Sequence, residues 1–165
     1  MVAVGIATTV AMVRRGAAPF FFEPGYFLVM NYLAVLGFAG LTTAAILLRR
    51  RTDWHRRLHF CGMAMLTAPA FGRLLPAPLM IPYASWGIFA ATMIWPAIAI
   101  AADLRRTGRV HLGLWWGAGT MVVLQCAMSV IAFSSLGVGL YGAVTAGYPG
   151  AAVPPLDFPP PPPMP

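Results

Sequence analysis

Apolar and polar positions change over in this chain at the scale of whole elements. Apolar runs of about 20 residues are separated by short breaks, two of them arginine-rich and one proline-rich. As a helix, that length crosses the hydrocarbon core of a bilayer. Four runs have it: Tyr26 to Leu48, which holds no charge, Trp54 to Leu75, Tyr83 to Ala102, and His111 to Phe133. Thr52 or Asp53 supplies an N-cap for the second run, and Pro76 with Pro78 ends it. Pro96 predicts a kink in the third. Arg105 and Arg106 suit that helix's C-terminal dipole, and Gly108 suits a left-handed cap. The pattern therefore predicts an all-α integral membrane helix bundle over residues 1–148, with four spanning helices and a Pro-rich tail over 149–165.

The two ends break this rhythm. Val2 to Val13 is apolar but only about 18 Å long as a helix, too short to span. Arg14-Arg15 follow it, whereas a signal peptide carries its positive region in front. The run reads as the last part of a helix, in a chain truncated or started late at its N-terminus. After Phe133 a glycine-rich stretch leads to Gly150, and the chain closes on Phe158 and five consecutive prolines before Met164-Pro165. Such a proline run imposes polyproline II and joins no core. The tail is expected to be disordered, with docking in an aromatic groove as the alternative.

Charge sets the orientation. The basic residues are all arginine, and the net charge is +7. Loops 49–57 and 103–111 share one side and hold Arg49, Arg50, Arg51, Arg56, Arg57, Arg105, Arg106 and Arg109. The other side holds Arg14, Arg15 and Arg73. That excess places both loops in the cytoplasm and the tail outside, in a bacterial inner membrane. Trp54, Trp115 and Trp116 agree as cytoplasmic boundary residues, and Tyr83 and Trp86 as the opposite belt, while Trp95 lies deep. Arginines clustered at the ends of apolar runs meet anionic lipid and form no groove-binding face, which speaks against nucleic acid as a partner.

Candidate chemistry concentrates on the second run. His55 and Arg73 are eighteen residues apart, five full helical turns, and so share one stripe with His59, Gly62, Leu66 and Pro69. Gly62 admits a neighbouring helix or a flat ligand. Arg73 either snorkels to the outer interface or holds an anionic group, a lipid phosphate or a cofactor propionate, with Glu23 as its acidic partner. His55, His59 and His111 fall at one depth, as a b-type haem or a small metal site requires, or as interfacial histidines bonded to headgroups and carbonyls. Gly113-x-x-x-Gly117 with Gly119 offers a close packing face. Gln125 and Ser129 are placed to bond across helices, with Asn31 and Thr42-Thr43 as partners. Cys61 and Cys126 read as small buried side chains without a disulfide. No acid lies within a span, which argues against a proton-coupled pump. Nucleotide loops, a nucleophile elbow and paired catalytic carboxylates are missing, so the residues point away from an enzyme.

Two motifs carry a resemblance. Arg49-Arg-Arg-Thr-Asp-Trp-His-Arg-Arg-Leu-His59 with Pro69-Ala-Phe-Gly-Arg73 resembles a family of uncharacterised bacterial inner-membrane proteins having a basic loop, His-x-Arg-Leu-Met and a Gly-Arg or Ala-Arg helix end. Asp103 to His111 is similar to that family's Asp-Leu-x-x-x-x-Arg-Val-His stretch, and Arg14-Arg15-Gly16 to its junction after the second helix. His59 departs from the usual methionine. The resemblance covers about residues 1–135 and implies about six helices, of which this chain lacks the first and most of the second. The expected function is an accessory, assembly or interaction protein, with other membrane helices, a second copy and the bilayer with its anionic lipids as partners. The alternatives are a haem- or quinone-associated redox protein using His55 and His111, and a small transporter or lipid-handling protein.

Overall fold

The computed structural model describes residues 2–160, and all regular structure among them is helical. The opening apolar run forms α1 (Val2–Arg14). The charge-free run forms α2 (Pro24–Leu47). Pro24 suits a helix start, since a first-turn proline lacks only an N–H that would have no partner in the helix. The fourth expected span forms α7 (Leu112–Ala132), opened by His111.

The run from Trp54 to Leu75 is not one helix. It forms α3 (Thr52–Met65) and α4 (Ala68–Leu74), parted at Leu66–Thr67. Pro69 explains the break: it has no N–H for the Met65 carbonyl, and its ring crowds that carbonyl. Thr67 steadies the junction, its hydroxyl donating to the Ala64 carbonyl at 2.7 Å and accepting from the Trp95 indole at 3.2 Å. The third run divides in the same way into α5 (Ala84–Thr92) and α6 (Ile94–Thr107), at Met93. Here Pro96 removes the donor to Thr92, so the expected kink is in place. Gly108 caps α6 at φ 67°, the left-handed conformation expected of it. Three stretches are long and apolar enough to cross a membrane: Pro24–Leu47, Ala84–Thr107 and Leu112–Ala132.

The glycine-rich stretch after Phe133 forms a helix that the pattern does not predict, α8 (Ser135–Thr145). Its approach to α7 requires Gly137, where any Cβ would collide with the Ile131 and Ala132 carbonyl oxygens. Central packing joins α2, α3 and α7, while α1 and α8 flank α2 and α4 lies against α5. One core cluster, around Leu28, Tyr26, Met128 and Tyr141, fills the end near α1 and α8. A second, around Leu41, Ala45, Cys61, Leu114 and Met121, fills the end near the arginine loops.

The expected disorder from residue 149 gives way to contacts as far as Pro155. The Gly25 N–H, which has no acceptor within α2 because it lies in the first turn, donates to the Pro155 carbonyl at 2.8 Å. Tyr141 donates to the Gly150 carbonyl at 2.9 Å. Proline lacks a donor but keeps its acceptor, so this segment caps a helix start. Residues 161–165, with most of the five-proline run, lie outside the described residues.

Candidate functional site

Three helices meet at the arginine loops through one carboxylate. Arg57 of α3 grips Asp103 of α6 with both arms of its fork, Nε to Oδ2 at 2.9 Å and a terminal nitrogen to Oδ1 at 2.7 Å. The backbone N–H of His111, at the start of α7, donates to the same Oδ2 at 3.1 Å. The pair is mostly sheltered, with 24% and 15% of the two side chains exposed, and such a bidentate geometry is strong and directional. Arg57 also donates to the Asp53 carbonyl at 3.2 Å. The helix-end role expected of Asp103–Arg109 therefore omits Asp103's main partner, 46 residues away. One signal was present in the chain. A carboxylate near a helix C-terminus faces the negative end of the dipole and calls for a cation.

Two of the three histidines are bonded to the backbone, and His55 and His59 lie side by side. His55 Nδ1 lies 2.8 Å from the Ala45 carbonyl, which can only accept, so this nitrogen carries the proton. The rings of His55 and His59 stack with centroids 6.0 Å apart, and His59 is exposed. His111 Nδ1 accepts the Gly113 N–H at 3.0 Å, capping α7, and its ring meets the edge of Trp54. That bond puts the His111 proton on Nε2. A b-type haem takes a lone pair from each axial ring, and the one on His111 is already used. As placed, His111 has no free ring lone pair for that group, whereas His55, with its proton on Nδ1, keeps the Nε2 lone pair free. Among the described residues no cluster of three His, Cys, Asp or Glu side chains could hold a metal.

Arg73 leaves the expected stripe for the same reason that the helix breaks. A shared line from His55 to Arg73 needs one continuous helix, and the junction at Leu66–Thr67 ends it. Arg73 is exposed, and among the described residues it forms no ion pair with Glu23 or any other acid. Glu23 is half-buried; burial pushes its carboxyl above the usual range, opposed by a backbone hydrogen bond. Gly62 faces α2, but a Cβ there would stand at ordinary contact distance, 3.5 Å, from Leu41 and Thr42, so the approach does not require glycine. Gly117 differs: its own Cβ would stand 2.8 Å from that of Cys61, so α7 approaches α3 there only through glycine. Cys61 is buried as expected, but Cys126 is exposed on the outward face of α7.

A cavity of about 60 Å³ lies where α2, α4, α5 and α7 converge. Met30, Met65, Met121 and Met128 form much of its wall, and Ser85, Thr92 and Gln125 add polar groups. Gln125 does bond across helices, its amide donating to the Tyr26 hydroxyl at 3.1 Å. The partners expected for it are occupied differently: Asn31 donates to the Phe27 carbonyl of its own helix, and the buried Thr42 hydroxyl has no hydrogen-bond partner among the described residues.

Among the described residues, then, all regular structure is helical and three apolar stretches reach membrane-crossing length. Comparison with protein-family models, with curated proteins and with solved structures yields no match.

Proposed function

We propose that this chain is an accessory or assembly protein of the bacterial inner membrane, working by packing against other membrane helices or a second copy of itself. The observation that carries this reading is the set of outward glycines. Gly40 on α2, Gly119 on α7, and Gly139 and Gly142 on α8 have nothing within 4 Å of where a Cβ would stand. Helices lacking a hydrophobic drive to associate in lipid do so by close backbone approach, which such positions permit. Meanwhile the polar groups at the basic end brace the fold and leave no catalytic constellation among the described residues.

In this reading α3 and α4 together make a fourth crossing, loops 49–57 and 103–111 face the cytoplasm, and the tail faces outward. The kinship with the basic-loop family gains support from the clamp, because Arg57 and Asp103 come from the two motifs that carry the resemblance. A second reading, a small transporter or lipid-handling protein, has the cavity beside Gln125 in its favour.

The test is association in mild detergent and in native membranes. A complex larger than the monomer is expected, and Gly139→Leu/Gly142→Leu or Gly119→Leu should disrupt it. A chain that stays monomeric in the membrane, with all variants behaving alike, overturns the proposal.

A further inference from the structure

The outer face of α6 carries Ile98, Ala101, Ala102, Arg105 and Arg106, at the i, i+3, i+4, i+7, i+8 spacing of a single stripe. These five exposed residues line a shallow, open groove. Its floor is apolar from Ile98 to Ala102, about 6 Å, and two arginines close its basic end. The inner face of the same helix is different: Pro96 is buried, and Asp103 is held by Arg57. Asp103 lies about 200° around the helix from Arg105 and about 60° from Arg106, and its carboxylate is already held by Arg57. Among the described residues, Arg105 and Arg106 form no ion pair.

Two cations above an apolar floor, at the end of a stretch (α5 with α6) apolar and long enough to cross a membrane, match an amphiphile with an anionic head. We propose that this groove binds a phospholipid of net negative headgroup charge, with the phosphodiester between the Arg105 and Arg106 guanidinium groups and an acyl chain along Ile98, Ala101 and Ala102. The fork geometry of each guanidinium matches phosphate oxygens in pairs. The two alanines let the chain lie against the helix, and Ile98 meets it lower down. A free anion would use only the upper half of the site. A zwitterionic lipid brings its own cation to compete with the arginines. Arg49, Arg50 and Arg51 add a diffuse attraction, but none of them lines this groove. The assignment goes beyond the proposed function and requires only that α6 lie in a bilayer.

The test is native mass spectrometry of the full chain in a neutral detergent, titrated with dioleoyl phosphatidylglycerol, dioleoyl phosphatidylcholine or inorganic phosphate. One phosphatidylglycerol should bind in preference to both other probes. Arg105→Gln/Arg106→Gln should weaken it by roughly thirty-fold, at about 1 kcal/mol for each arginine near the surface. The control Arg49→Gln/Arg50→Gln should lose clearly less, since neither arginine lines the groove. Equal losses in the two double variants would reduce the site to a general field and overturn it. So would phosphate binding as tightly as phosphatidylglycerol, or no preference over phosphatidylcholine. Should the glutamine pair not fold, Arg105→Gln and Arg106→Gln are read singly, each with a roughly five-fold loss expected and no loss in either overturning the site.

Discussion

Asp103 shows how one residue organises the basic end. Its carboxylate accepts from the side chain of one helix and the backbone of another, so removing its charge loosens both contacts together. Asp103→Asn should cost about 2 kcal/mol, the scale of hydrogen bonds to charged groups, read as a lower midpoint of thermal unfolding in detergent. Arg57→Gln should cost a similar amount. The double variant should lose clearly less than the two singles added, because each removes the same interaction. Strict additivity would show that the two side chains act apart. Neither partner was legible from its neighbours in sequence. Arg57 sits in a run of arginines that reads as a topology signal, and nothing distinguishes it from Arg56 until the fold brings Asp103 to it. His55 and His111 were legible as residues of one depth, but not in their bonding. Whether a ring nitrogen is taken by a carbonyl or an N–H depends on backbone positions that spacing alone does not give.

At the scale of elements, proline decides where helices end. The length and hydropathy of α2 and α7 were plain in the chain because no proline interrupts either helix after its first turn. Pro69 differs: on a projection it is just another position along a stripe, whereas in three dimensions it separates α3 from α4. If the missing donor causes this break, Pro69→Ala should let the helix run through Leu66–Thr67. Amide exchange over residues 67–71 should then slow about tenfold, the equivalent of one added hydrogen bond. Unchanged exchange would assign the break to the Trp95–Thr67 contact instead. The helix α8 was hidden for the opposite reason. Its glycines lower helix propensity, but Gly137, Tyr141 and Thr145, each one turn from the next, bury a common face against the bundle, and packing outweighs propensity.

For the whole molecule, the helical class and the apolar stretches follow from run length, and the proposed orientation rests on the arginines. Orientation has a direct check. In a chain with Cys61 and Cys126 replaced by alanine, Thr107→Cys should react with a membrane-impermeant thiol reagent only in inverted vesicles. Ala151→Cys should react only in right-side-out ones. The reverse pattern would invert the molecule. What run length and charge do not reveal is the coupling between segments far apart in sequence, and that coupling has a consequence in time. During synthesis Arg57 emerges 46 residues ahead of Asp103. At about 5–20 residues per second, that is a wait of roughly two to nine seconds. Over that interval α3 has no carboxylate from α6 to hold it, and Arg57 is left with Asp53, one turn back in its own helix. The bundle is therefore latched late: only when the third apolar stretch is complete can the basic end close, and a ribosome that stalls before residue 103 leaves it open.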